Sequence, residues 1–157
     1  MLLRRYTPSD IPAMAELFFR TIHSVCAKDY TPAQLYAWAP APPDPACWAA
    51  SFSGKICFVA FEHGILTGFG DMDGSGYLDR LYIHAAYQRR GIASAICDRL
   101  EAATHTDIVT HASMTAKPFF AKRGYLVIQE QQVCRHGIFL TNYVMKKRNA
   151  RMMYAER

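Results

Sequence analysis

Apolar and polar positions along this chain repeat with two different periods, and the switches between them lay out its elements. Residues 2–6 read as a short strand. Thr7-Pro8-Ser9-Asp10 supplies capping side chains and a helix-compatible proline. Ile11, Met14, Ala15, Phe18, Ile22 and Val25 then fall on one helical face, predicting a helix from about residue 8 to about residue 27. Residues 29–53 hold a short predicted helix carrying Leu35 and Trp38, then Pro40-Ala41-Pro42-Pro43-Asp44-Pro45, where no regular element is expected. A proline-rich crossover of that length in a small domain is a candidate functional loop.

Runs at 56–62, 65–72 and 77–84 are rich in strand formers, and His63-Gly64 and Asp73-Gly74-Ser75-Gly76 separate them as turns, which predicts an antiparallel meander. After Gln88-Arg89-Arg90-Gly91 the period becomes helical: Ile92, Ile96, Leu100 and Ala103 share a face up to about residue 104. A strand at 107–112, a helix at 115–123 closed by Gly124, and strands at 125–131 and 138–146 complete the chain. The expected order is β-α-α-β-β-β-α-β-α-β-β, an α/β (α+β) class without internal repeats.

With 157 residues, 51% of them hydrophobic and 20% charged, the chain suits one folded domain rather than a disordered segment. The formal charge of +5 raises the prospect of a polyanionic partner. Most of it sits at one end, because residues 146–157 alone carry +4 and residues 1–145 only +1. The expected division is a domain over 1–146 and a basic tail over 147–157. Five cysteines without a CxxC pair are expected as reduced thiols, and with no secretion signal or spanning segment read at the N-terminus the expected setting is cytoplasmic, without a membrane partner. No helix carries the basic and amide residues of a base-reading surface, so DNA is not expected as a partner. The six histidines lack any zinc spacing, and Asp71-x-Asp73-x-Ser75-Gly76 lacks the closing glutamate of a calcium loop, so no metal is expected.

The segment with most chemical content is Leu81-Tyr82-Ile83-His84-Ala85-Ala86-Tyr87-Gln88-Arg89-Arg90-Gly91-Ile92-Ala93-Ser94. A strand that passes through a glycine turn into a helix leaves several backbone N–H groups free at the positive end of the helix dipole, where a phosphate can sit. Gly91 and Ala93 lack bulk there, and Arg89 and Arg90 add charge. These residues resemble the signature of the GNAT superfamily of acyl-coenzyme A dependent N-acetyltransferases, Gln/Arg-x-x-Gly-x-Gly/Ala after a strand carrying Leu-x-Val/Ile. The element order over residues 2–146, closing with Gly124-Tyr125 after the later helix, matches that family's layout as well.

The resemblance implies a splayed, mostly antiparallel sheet flanked by helices, with acetyl-CoA as cosubstrate. Its pyrophosphate would lie on the segment formed by Gln88, Arg89, Arg90, Gly91, Ile92, Ala93 and Ser94. Its pantetheine arm would lie beside Leu81, Tyr82 and Ile83, with the Ile83 N–H near the acetyl carbonyl. Direct attack by a primary amine would then need a base and a proton for the leaving thiolate. Asp79, on the face of Leu81 and Ile83, is the candidate base, with an ion pair to a residue such as Arg80 as its structural alternative. Phe120 stands where many family members carry a tyrosine acid, and it cannot donate a proton, although it can wall the pantetheine. Tyr143 comes first as a substitute, with Tyr82, Ser113, Thr115 or water as alternatives. Tyr30 and Trp38 are candidate acceptor-binding residues that could equally be core. A small-molecule or peptide amine is the expected acceptor, handled by a monomer or homodimer. Rival readings are an acyl-CoA-binding module without turnover, motivated by Phe120, and an aminoacyl-tRNA acceptor, motivated by the basic tail.

Overall fold

In the computed structural model, which describes residues 1–149, a seven-stranded sheet in the order β1-β2-β3-β4-β5-β7-β6 carries helices on both faces. The strands are β1 (Leu2–Arg5), β2 (Ile56–Glu62), β3 (Ile65–Met72), β4 (Tyr77–Ile83), β5 (Ile108–Ser113), β6 (Leu126–Arg135) and β7 (Ile138–Lys147). The helices are α1 (Ile11–Ser24), α2 (Pro32–Trp38), α3 (Pro45–Ala49), α4 (Ile92–Ala102) and α5 (Lys117–Lys122). All neighbouring strands are antiparallel except β4 and β5, which run parallel.

Helix α1 buries Ile11, Met14 and Leu17 on one face of β2 and β3, together with Phe52 and Phe69. Helix α4 buries Ile92, Ile96 and Leu100 on the other face, against Met72, Leu78 and Ile108. Two glycines of β3 let α4 lie close. A Cβ at Gly68 would come within 3.2 Å of Ile92 Cγ2, and one at Gly70 within 2.9 Å of Ile96 Cγ2.

The proline-rich crossover differs from its expectation of irregular chain. Pro45 opens α3, because a proline in the first turn gives up only an N–H that would have no helical partner, and Asp44 caps it by accepting from Ala46 N at 3.1 Å. Trp48 and Phe52 follow it into an aromatic cluster with Phe18 and Phe69. A buried ion pair fixes this segment to the sheet. Arg80 donates from Nε to Asp71 Oδ2 at 2.9 Å and from Nη1 to Ser51 Oγ at 2.9 Å, with its guanidinium 3.9 Å from the centre of the Phe52 ring. Strand β6 continues to Arg135, beyond the expected end near residue 131, because β7 pairs with it over that whole length.

Residues 147–149 of the expected basic tail are described. Lys147 belongs to β7 and reaches Glu101 at 2.8 Å, while the buried Asn149 donates to Thr104 O at 2.9 Å. The rest of the expected tail, 150–157, lies outside the described residues.

Candidate active site

Strands β4 and β5 pair only at Tyr77 with Val109 and Leu78 with Thr110, and then diverge. Asp79 and His111 are therefore the first residues beyond the last pair, one on each arm of a fork. Just before it, the ladder between β3 and β4 carries an irregularity: Asp71 faces Arg80 and Met72 faces Leu78, so Asp79 is the extra residue of a bulge. Asp71 Oδ1 accepts the Arg80 N–H at 2.9 Å and so fixes it. Further along, His84 N donates to Thr67 O at 2.8 Å. By the two-residue period of a strand, the Leu81 and Ile83 amides then face the gap, where β5 no longer offers acceptors.

A cavity of about 340 Å3 occupies this fork and extends from α1 and α2 on one side to the start of α4 on the other. Of the residues that the resemblance assigned to the cosubstrate, Leu81, Tyr82, Ile83, Gln88, Arg89, Gly91, Ile92, Ala93, Ser94 and Phe120 line it together. At its α4 end the chain turns through two left-handed residues, Arg89 at φ 61° and Gly91 at φ 79°. The first helical bond there is Ala95 N to Gly91 O at 3.0 Å, so the amides of Ile92, Ala93 and Ser94 precede the helical ladder. A Cβ at Gly91 would meet nothing within 4 Å, so the approach is open. Gln88 holds the turn in place, since its Nε2 donates to Ile83 O at 2.7 Å. Arg90 lies outside the lining, paired with Glu62 at 3.6 Å and 4.9 Å from the Tyr87 ring centre. Phe120 is buried and packs edge-on to Tyr125 at 5.0 Å, an apolar wall without a proton to give.

The other end of the cavity is built differently from its sequence expectation. Asp79 lines it, but its carboxylate is bonded to Lys55 Nζ at 2.7 Å, with Arg80 Nε farther off at 4.0 Å. Tyr143 is not among the lining residues: its hydroxyl donates to Glu130 at 3.3 Å, and Lys117 Nζ lies 4.1 Å from its ring centre. Tyr30 is a buried brace, donating to Thr141 O at 2.7 Å and accepting from Met114 N at 2.9 Å. Trp38 does line the cavity and meets Tyr30 edge-on at 5.5 Å.

His111 was not singled out by sequence, because nothing in an isolated strand marks where its neighbour will depart. Its ring stands edge-on to Tyr77 at 5.1 Å. Burial, reinforced by Asp79, pushes the Tyr77 phenol up to about 12. Burial also raises the Cys26 thiol, in the same cavity, to about 11, which marks it as a packing group rather than a nucleophile. Ser113 Oγ accepts from Ala116 N at 3.0 Å, whereas Thr115 donates its proton to Asp29 at 2.7 Å. Among the described residues no group of three or more His, Cys, Asp or Glu is placed to hold a metal ion, and no helix is long and apolar enough to cross a membrane.

This geometry agrees with sequence comparison, in which the family model described as an acetyltransferase (GNAT) domain matches residues 26–147. The chain belongs to the GNAT acetyltransferase family. It is 31% identical over 144 residues to the uncharacterized N-acetyltransferase YafP of Escherichia coli K12, covering 92% of this chain and 93% of that protein. A GCN5-related N-acetyltransferase structure from Rhodopseudomonas palustris, titled also as a class-II aminotransferase, superposes with a TM-score of 0.88 at 35% identity, covering 94% of each chain. The PaiA N-acetyltransferase of Thermoplasma acidophilum, solved in complex with coenzyme A, shares the GNAT fold at a TM-score of 0.70 and 15% identity, over 94% of this chain and 98% of that one.

Proposed function

We propose that this GNAT chain transfers the acetyl group of acetyl-CoA to a primary amine by direct attack within a ternary complex. The observation that carries the reading is the fork. It leaves two strand amides, Leu81 and Ile83, without a sheet partner, in a cavity that ends on the free amides of α4. Structures of the same fold solved with acetyl-CoA, from Salmonella typhimurium, and with coenzyme A, from Thermoplasma acidophilum, support the choice of cosubstrate.

The cosubstrate supplies an acyl group already activated as a thioester. The α4 amides and Arg89 hold its phosphates, and the gap-facing amides of β4 pair with its amide-bearing arm as an added strand would. The Ile83 N–H donates to the carbonyl oxygen as negative charge develops there. Gln88 has already taken the Ile83 carbonyl, which fixes the next peptide plane, between Ile83 and His84. Asp79 attracts and orients the cationic acceptor from across the fork, keeping its contact with Lys55. His111 takes the proton that leaves the amine, as an imidazole is better matched than a carboxylate to proton transfer near neutral pH. At the departing sulfur Ser113 replaces Tyr143: it lines the cavity, and its hydroxyl, which keeps its proton, hydrogen-bonds the thiolate until the proton taken up by His111 reaches the sulfur through solvent.

Thermal stabilisation by acetyl-CoA, followed by thiol release with amines, tests the reading. Arg89→Ala should raise the acetyl-CoA Kd by roughly tenfold through loss of a charge-assisted contact, and Arg90→Ala, already engaged with Glu62, by much less. Unchanged affinity in Arg89→Ala would displace the phosphates from α4. Tight acetyl-CoA binding without turnover on a broad amine panel would favour a binding module instead.

A further inference from the structure

Helix α2 is latched on both sides. Gln34 Nε2 donates to Phe139 O at 3.0 Å, His136 Nδ1 lies 3.0 Å from Ala37 O, and Tyr30 donates to Thr141 O, which ties α2 and its approach to β7 and to the turn that precedes it. On the other flank His23 Nε2 lies 2.7 Å from Ala39 O. Two imidazoles thus hold the carbonyls on either side of Trp38, the one residue of α2 that lines the cavity. This strap brings Trp38 to the wall of the cavity.

The walls beneath the strap are Trp38, Tyr82, Val25, Cys26 and Thr21. The Tyr82 ring is backed edge-on by Phe18 at 4.9 Å. Asp79 is the single carboxylate among the lining residues, and Lys55 already shares its charge. One anion serves one ammonium group. A polyamine or aminoglycoside would set its further cations against Trp38, Tyr82 and Val25, and an amino acid would set its carboxylate there, because Arg89 at the α4 end is the one Arg or Lys among the lining residues.

From this lining we infer that the acceptor is a small monoamine with a flat apolar body and no carboxylate, of the arylalkylamine class, held on Trp38. The inference rests on the acetyl-transfer reading above. The test uses the full chain with acetyl-CoA and compares 2-phenylethylamine and tryptamine with phenylalanine, spermidine and a lysine-containing peptide, read by thiol release. The expected result is a kcat/KM for the arylalkylamines at least about tenfold above each of the others. Trp38→Ala should raise their KM by about tenfold with the KM for acetyl-CoA unchanged, and Trp38→Phe should recover most of the loss. With coenzyme A bound, 2-phenylethylamine should also change the tryptophan emission of the native protein but not of Trp38→Phe.

Preference for spermidine, phenylalanine or the peptide would overturn the inference and leave acetyl transfer standing, as would a Trp38→Ala protein with an unaltered arylalkylamine KM. If acetyl-CoA stabilises the protein but no arylalkylamine is turned over or perturbs Trp38, the acceptor class is likewise refuted. Failure of acetyl-CoA to bind would refute both readings.

Discussion

Removing the Asp71 carboxylate should cost the fold about 3 kcal/mol. Asp71 is fully buried, and it accepts from Arg80 three times: from the backbone N–H at 2.9 Å, from Nε at 2.9 Å and from Nη2 at 2.5 Å. Truncating one partner of such a pair leaves an uncompensated buried cation, for which losses of about 3–5 kcal/mol are typical. Arg80 would keep its bonds to Ser51 and its stacking on Phe52, which places Asp71→Ala at the lower end of that range. In a domain of this size the loss corresponds to a drop of roughly 6–12 °C in Tm, measurable by circular dichroism or calorimetry. Asp71→Val combined with Arg80→Met should recover much of it, because an apolar pair of similar volume removes the stranded charge. Since Asp71 also fixes the bulge that carries Asp79, the acceptor KM should rise in Asp71→Ala while acetyl-CoA affinity holds. A melting point within about 2 °C of the native protein, or a double variant no more stable than the single one, would refute the reasoning.

Two other outcomes follow from named contacts. His111→Gln should lower kcat/KM by about a hundredfold with the acetyl-CoA KM little changed; a kcat/KM within about twofold of the native protein would place the base elsewhere. The Arg4 guanidinium, with help from the Thr7 N–H, holds the Asp10 carboxyl below its usual range. Its contribution is therefore present above the unfolded value near 4 and is lost as the pH falls through the lower folded value. Asp10→Asn should be about 1 kcal/mol less stable than the native protein at pH 7, and urea melts should show the two converging once Asp10 is protonated in both states. A gap that stays constant down to acid unfolding would contradict this account.

The periodicity of the chain was enough to place the meander, because alternating strands separated by Gly-containing turns pair with their immediate neighbours. The α4 entrance was legible for a similar reason: Gln88 to Ser94 form a contiguous segment whose free amides follow from helix geometry alone. Helix α3 was not legible, since a proline run signals a break in chain direction and does not reveal that its last proline opens a helix. Tyr30 and Trp38 have the same chemical appearance in sequence, and only packing made one a brace and the other a cavity wall.

By itself, then, the sequence determined the strands, every helix but α3, their order and the family, all of which depend on residues near one another along the chain. Tertiary structure alone decided the other end of the cavity. Where β4 and β5 part, which cation holds Asp79, that His111 stands opposite, and that Tyr143 turns to Glu130 all depend on strands and loops distant in sequence. No local pattern encodes such separations, because the fork arises from two parallel strands sharing only two paired positions before other contacts draw them apart.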